Sequence, residues 1–188
     1  MDFIEKVKGI LLEPSKTYDS LKEEPLEEAV KYYAVIAAVY SALLALLDTF
    51  LGNLTGDAMK GFGNMGIMMG ASSGIWPIII LFLMYLIIAI VVAFIGGAIL
   101  HIFVYIVGGR GGISQTIKAG MYGSTASLLF GWIPVISFIA MIWSLVAEVI
   151  GIRQLQELTT GKAILVVILS LIVTIILTIA LAAFYLRF

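Results

Sequence analysis

The chain has 188 residues, of which 62% are hydrophobic and only 12% are charged, and its mean hydropathy is +1.13. Soluble domains are about 45–50% apolar and about 25% charged, so this composition excludes an ordinary soluble domain and indicates an integral membrane protein. The net charge of −1 argues against a nucleic-acid partner, and the absence of cysteine excludes disulfides and thiolate metal sites.

The first 31 residues are polar and predict a short cytoplasmic segment in front of the membrane domain. They carry five lysines and eight acids, and no apolar core follows a basic start, so they do not resemble a signal peptide. Asp2 can cap a first amphipathic helix, and Pro14 and Pro25 stand where further helices can begin. We expect this segment to pack against the helix bundle or the membrane interface, with docking of a partner as the alternative.

Two apolar stretches follow, and each predicts a membrane span. Residues 32–51 carry small residues at helical spacing, which is typical of a close-packing face: Ala34, Ala38 and Ala42 beside Ala37, Ser41 and Ala45. After a loop rich in glycine and methionine, residues 76–107 form a run too long for a straight span of about 30 Å. The pair Gly96-Gly97 is the expected place for a bend in it.

The sequence GGRGG at residues 108–112 predicts a turn and is followed by the least apolar of the predicted spans, residues 113–132. Ser114 can cap this helix. The helix carries two stripes of small residues, which indicate close neighbours on both sides and include Gly120, Gly123, Ser124 and Ser127. The glycine turn lacks the Gly-Lys-Ser/Thr ending of a phosphate loop, so it does not indicate nucleotide binding.

Two more spans, residues 134–150 and residues 163–186, complete an all-α bundle of five transmembrane helices over residues 32–188. The last span is apolar except for a hydroxyl stripe that we expect to face the bundle, formed by Ser170, Thr174 and Thr178. With five spans, nine lysines and arginines lie on one side and only Lys60 and Arg187 on the other. The positive-inside rule then places the amino terminus in the cytoplasm and the carboxyl terminus on the opposite side.

Several stretches together resemble the YIP family of five-span membrane proteins, whose eukaryotic founders interact with Ypt and Rab GTPases. They are FIEKVKGILLEPSKTYDSLKEEPLEEAVKYY, GGRGGISQTIKAGMYGSTASLL, IPVISFIAMIWSLVAEVIGIRQL and TTGKAI. The resemblance covers nearly the whole chain in order and is strongest from Gly108 to Lys162. It implies a prokaryotic-type member with five spans and a non-enzymatic role, and it leaves a GTPase partner unknown.

Ionisable side chains inside a membrane are expensive and are therefore the candidate functional residues. They are Glu148, His101, Lys118, Arg110 and Asp48. We expect Asp48 to reach water at the outer end of the first span. For Glu148 we expect an ion pair near the inner face, with Lys118, Arg110, Arg153 or His101; the alternative is a polar path through the bundle.

The sequence contains no specific catalytic motif and implies no cofactor and no metal. The first hypothesis is a non-enzymatic membrane scaffold or adaptor, which acts through helix contacts and the cytoplasmic segment on the lipid bilayer, on a membrane-protein partner or on a second copy. The second hypothesis is transport or binding of a small solute, an ion or a lipid through the bundle. An intramembrane enzyme is a distant third, because Asp48 and Glu148 are predicted at opposite faces.

Overall fold

The computed structural model describes residues 1–51 and 75–185, and these ranges are helical with short connections and contain no strand. In chain order the helices are α1 (Phe3–Leu12), α2 (Pro14–Leu21), α3 (Leu26–Leu51), α4 (Trp76–Ile106), α5 (Gly112–Gly123), α6 (Thr125–Phe130), α7 (Ile136–Leu155) and α8 (Thr160–Tyr185). The predicted all-α class is confirmed. The glycine- and methionine-rich loop lies outside the described residues, as do Lys60 and Arg187.

Four of the described helices, α3, α4, α7 and α8, are long and apolar enough to cross a membrane. The predicted span at residues 113–132 is not among them, because it is two helices, α5 and α6, that meet at Ser124. The Ser124 hydroxyl donates to the carbonyl oxygen of Met121 at 2.9 Å. A serine hydroxyl that bonds to a carbonyl of the preceding turn competes with the backbone hydrogen bonds of the helix. This competition accounts for the break at Ser124, which the sequence predicts only as a packing residue.

The first three helices begin at capping residues, prolines and acids of the polar segment, and not where the apolar runs begin. Asp2 caps α1 with a reciprocal capping box to Glu5, and Pro14 is the first residue of α2, as predicted. The helix α3 begins at Leu26 and not at residue 32, with Glu27 and Glu28 in its first turn. Acids in that position complement the helix dipole, so the helix extends past the apolar run.

The sequence predicts Ser114 as the cap of α5, a fourth span at residues 134–150 and a bend at Gly96-Gly97. The helix α5 begins at Gly112 without a side-chain cap, so Ser114 is not its cap. The helix α7 runs from Ile136 to Leu155 and not from 134 to 150. The helix α4 is unbroken at Gly96-Gly97, and a bend there stays a prediction. Gly97 makes a close contact: a Cβ there would lie 2.8 Å from the Cγ1 atom of Ile117.

The small-residue face predicted on the first span is only partly buried, because Ala34, Ala38 and Ala42 are half-buried. Ala37, Ser41 and Ala45 have no exposed surface. This helix packs against α4, where the Tyr33 hydroxyl donates to the carbonyl oxygen of Ala89 at 3.1 Å. Small side chains let the two backbones approach, so α3 and α4 form an antiparallel pair.

The hydroxyl stripe on α8 is only partly buried, contrary to the prediction. Ser170 is 8% exposed and faces the core. Thr174 and Thr178 are exposed, and Thr178 donates to the carbonyl oxygen of Thr174 within the helix at 2.8 Å. The buried residues of α8 all lie in its first half, where it meets α4 and α7. The second half has too few described neighbours to cover the stripe.

The loops after α4 and α7 meet the polar amino-terminal segment at one end of the bundle, which we call the N-terminal face. The amide of Arg110 donates to the carbonyl oxygen of Gln156 at 3.4 Å, and the Lys162 ammonium donates to that of Val107 at 2.8 Å. Both α4 and α7 therefore end at this face. The pair formed by α5–α6 and α7 runs antiparallel, and α2 lies across α7.

Candidate functional site

Lys118 is a buried cation that closes the carboxyl-terminal end of α2. Its side chain is 1% exposed, although the residue belongs to α5. The ammonium donates to the carbonyl oxygens of Leu21 at 2.8 Å, Lys22 at 3.2 Å and Glu24 at 2.5 Å. The last carbonyls of a helix lack partners and carry partial negative charge, so a buried ammonium satisfies them and is satisfied by them.

Three tyrosines surround Lys118 and join the polar segment to α5. The Tyr18 hydroxyl donates to the carbonyl oxygen of Ala119 at 3.1 Å, and the Tyr122 hydroxyl donates to Glu24 at 3.2 Å. The ring of Tyr122 lies 6.3 Å from that of Tyr18 and 4.8 Å from that of Tyr32, between centroids. Burial, and then the charge of Glu148, raises the pKa of Tyr18 well above its ordinary value, so this phenol stays neutral.

An ion pair between Lys6 and Glu24 completes the group, with both side chains largely buried. We call the six residues Lys6, Tyr18, Glu24, Tyr32, Lys118 and Tyr122 the Lys118 cluster. The cluster brings together α1, α2, α3, α5 and the turn before α3. Its polar atoms bond mainly to one another and to backbone carbonyls, so the cluster holds the amino-terminal helices against the bundle.

A second polar group, centred on Gln156, fixes the glycine turn. The Gln156 side chain is fully buried and donates to the carbonyl oxygen of Gly112 at 2.7 Å and to the Thr116 hydroxyl at 2.9 Å. Its own oxygen accepts from the amide of Gly111 at 2.9 Å. Gly112 has a φ of +78°, a conformation that favours glycine. The amide thus holds the turn between α4 and α5 against the end of α7.

His101 belongs to this second group. Its Nδ1 atom lies 2.8 Å from the Thr116 hydroxyl oxygen, which also accepts from Gln156. We call Gln156, Gly111, Gly112, Thr116 and His101 the Gln156 cluster. Sequence reasoning did not single out Gln156; the signal was an amide side chain directly after an apolar helix, close to a second amide at Gln154.

Exposed contacts add a third tie between α2 and the end of α7. The Ser15 hydroxyl accepts from Arg153 at 3.1 Å and from Gln154 at 2.6 Å. Lys22 and Glu157 form an ion pair of 2.6 Å, which raises the pKa of Lys22 and lowers that of Glu157. Arg110 is exposed close by and also lowers the pKa of Glu157. Arg110 and Arg153 therefore lie at the N-terminal face.

Glu148 sits on two glycines of α5. A Cβ at Gly123 would lie 2.9 Å from the Cα of Glu148, and one at Gly120 would lie 3.6 Å from its Oε1 atom. The carboxyl is half-buried, and among the described residues it forms no hydrogen bond or ion pair. The expected ion pair is not formed, because Lys118 points to the carbonyls of α2, His101 to Thr116 and Arg153 to Ser15.

Near Glu148, α6 is joined to α7 through Ser127. Its hydroxyl and its amide both lie 2.9 Å from the Ser144 hydroxyl oxygen. Gly120, Gly123 and Ser127 thus lie where α5 and α6 contact α7, whereas Ser124 lies at the break between α5 and α6.

Asp48 lies in the other half of α3, away from the N-terminal face. It is half-buried and accepts a hydrogen bond from the Tyr85 hydroxyl of α4. The structure thus brings Lys118 to the amino-terminal helices and His101 to Gln156, and it leaves Asp48 apart from both. Within the described ranges, no three His, Asp or Glu side chains group as a metal site would require.

Comparison with known proteins gives one match. The family model described as the Yip1 domain matches residues 8–182. No curated protein and no solved structure matches the chain. The matched range includes the Gln156 cluster, every residue of the Lys118 cluster except Lys6, and the four long apolar helices, the last of them up to residue 182. An integral, multi-pass membrane protein agrees with the composition and with the apolar helices, and the chain belongs to the Yip1 domain family.

Proposed function

We propose that this protein is a non-enzymatic membrane scaffold or adaptor of the YIP type, of the kind found in prokaryotes. The observation that supports the proposal is the Lys118 cluster. Through it the two amino-terminal helices are fixed on the bundle, so that they form one preformed surface at the N-terminal face. Recognition surfaces that are ordered before binding avoid the entropic cost of ordering on contact, which suits an adaptor.

The proposal includes five crossings, with α5–α6 as the third. Because α4 and α7 both end at the N-terminal face, the chain between them has to pass to the other end and return. Residues 112–130 as a helix would extend roughly 28 Å at about 1.5 Å per residue, close to the hydrocarbon thickness of about 30 Å. The lysines and arginines gathered at the N-terminal face favour the cytoplasm for that face and place the carboxyl terminus opposite.

The partners we propose are the lipid bilayer and either another membrane protein or a second copy of this chain. Affinity purification from native membranes in mild detergent tests this. We expect the wild-type protein to recover a specific partner or itself, and Lys118→Met to recover less because the amino-terminal helices are no longer fixed. Lys162→Met removes a similar ammonium–carbonyl bond at the same face and serves as the matched control. Recovery of neither partner nor homo-oligomer with the wild type contradicts the proposal.

A second candidate function is a pathway or binding site for a small solute, an ion or a lipid. The observation in its favour is the half-buried Glu148 carboxyl, which has no bonded partner among the described residues and packs against Gly120 and Gly123 of α5. In liposomes, Glu148→Gln should abolish a measured flux, whereas Glu157→Gln at the exposed ion pair should not. A flux that is unaltered by Glu148→Gln removes this role.

A further inference from the structure

The helix α1 buries one charged side chain and leaves several large apolar side chains exposed. Lys6 is buried, 7% exposed, in its ion pair with Glu24, and Ile10 is fully buried beside it. On the opposite side Ile4 is 55% exposed and Leu12 is 77% exposed. Glu5 and Lys8 are also exposed, so the outward surface of α1 is mixed. A helix with water on its outer side would bury side chains as large as those of Ile4 and Leu12.

The outward residues share one face of α1. Met1, Ile4, Lys8 and Leu12 follow one another at intervals of three or four residues, which places them along one stripe of the helix. A shallow groove between α1 and α2 runs beside this stripe, and Lys8 and Lys16 stand among its lining residues. Long lysine stems can lie along apolar surface while their ammonium groups reach a polar layer.

The position of α1 against α3 shows what lies next to this face. The ring of Phe3 is 5.4 Å from the ring of Tyr32, between centroids, so α1 covers the beginning of a helix long enough to cross a membrane. Val35 and Val39 follow Tyr32 on nearly the same side of α3 and are 50% and 52% exposed. The surface that α1 covers therefore continues directly into apolar surface of a membrane-crossing length of helix.

We propose that the outward face of α1, centred on Ile4 and Leu12, lies in the bilayer at the N-terminal face and contacts phospholipid at the boundary of headgroups and acyl chains. The apolar side chains enter the boundary, and Lys8 and Lys16 reach the phosphate layer. Glu13 forms an ion pair of 2.7 Å with Lys16, so the local charge is mixed in sign. The contact is therefore apolar in origin and does not depend on anionic lipid.

The absence of cysteine allows a direct test with single labels. A polarity-sensitive fluorophore is attached at Ile4→Cys or Leu12→Cys in the full chain, reconstituted in phosphatidylcholine vesicles that contain spin-labelled lipid as quencher. Val39→Cys is the control within the bilayer, and Glu23→Cys, in the exposed turn after α2, is the control in water. All four positions are exposed, so the labels leave the core intact.

We expect labels at positions 4 and 12 to show blue-shifted emission and quenching by lipid comparable to position 39, with little quenching by aqueous iodide. Added phosphatidylglycerol should not change this. If positions 4 and 12 instead behave like position 23, the face is in water and the proposal is overturned. Shielding from both quenchers that disappears when the protein is diluted in lipid would assign the face to a second copy and would also overturn it.

Discussion

The ammonium of Lys118 lies 2.8 Å from the carbonyl oxygen of Leu21, although the two residues are far apart in the sequence. The contact places a positive charge at the end of α2 and ties the polar amino-terminal helices to α5 inside the bundle. Because the Lys118 side chain is buried, the hydrogen bond is shielded from water, and few water molecules compete with the carbonyl oxygens for the ammonium group. The amino-terminal segment is consequently a fixed part of the domain.

The substitution Lys118→Met tests whether Lys118 holds the amino-terminal helices against the bundle. The substitution keeps most of the side-chain volume but leaves the carbonyl group of Glu24 without the ammonium donor. The carbonyl of Leu21 still accepts from the Glu24 amide. We expect a loss of about 1–3 kcal/mol in the free energy of unfolding, the usual cost of unsatisfied buried polar groups. Hydrogen exchange of residues 1–25 should rise in detergent while exchange in α4 stays low. Lys162→Met should leave residues 1–25 protected; equal exchange in both variants contradicts the role of Lys118.

Gln156→Leu removes three hydrogen bonds from the glycine turn without a large change in volume. We expect a loss of about 1–3 kcal/mol, because the amide of Gly111 and the carbonyl of Gly112 lose their partner. Thermal unfolding in detergent measures the loss, and hydrogen exchange locates it at residues 108–116. Gln154→Leu, which breaks one contact to Ser15, is the control. If the two variants unfold alike, Gln156 does not hold the turn.

Two glycines in apolar helices provide a matched pair for the packing of α5 on α7. A Cβ at Gly123 would meet the Cα and Cβ of Glu148, both at 2.9 Å, whereas a Cβ at Gly96 has nothing within 4 Å. We expect Gly123→Ala to cost about 1–3 kcal/mol through overpacking. Gly96→Ala should be neutral or should stabilise by up to about 1 kcal/mol, because alanine is the better helix former. Similar unfolding midpoints for both variants would show that α5 and α7 are not in close contact.

Because of the Lys22–Glu157 ion pair, the packing of α2 against the end of α7 should depend on pH. Because the pKa of Glu157 is lowered in the folded protein, its contribution is present above the ordinary pKa of a glutamate and is lost as the pH falls through the lowered value. The pKa of Lys22 is raised, so its contribution is present below the ordinary value and is lost as the pH rises through the raised one. Both groups are exposed, so the effect should be small.

Limited proteolysis of residues 13–25 across the pH range measures this effect. Wild-type protein should be cleaved slightly more slowly than Glu157→Gln near neutral pH, and the difference should vanish in acid. A difference that persists when Glu157 is protonated would mean that the glutamine disturbs the loop for another reason.

Features that depend on neighbouring residues, such as helix caps, could be predicted from the sequence. Contacts between residues far apart in the sequence could not. Asp2, Pro14 and the small-residue face of α3 act within one helix, so spacing alone located them. The partners of Lys118 and His101 depend on how α5 is rotated against α2, α4 and α7. Hydropathy does not encode that rotation, because serine, threonine, glutamine and tyrosine become significant only once a second helix supplies a donor or an acceptor.

The predicted third span illustrates the same limit. Residues 113–132 are too polar for a hydropathy criterion, and the structure explains their composition: Thr116, Lys118 and Tyr122 face other protein groups and not lipid. Charge asymmetry supported a crossing there, but it could not reveal the break at Ser124. A hydroxyl that bonds its own preceding turn leaves no periodic signature.

The proposed five-span topology requires that α5–α6 pass through the membrane. Side-specific labelling of single cysteines tests this passage most directly. Glu23→Cys, Glu157→Cys and Pro134→Cys each lie at an exposed position in the otherwise cysteine-free chain. A membrane-impermeant maleimide is applied to intact cells stripped of their wall and to inverted vesicles. We predict that positions 23 and 157 react only in inverted vesicles and that position 134 reacts only in the intact cells. Reaction of position 134 on the same side as position 23 would contradict the account.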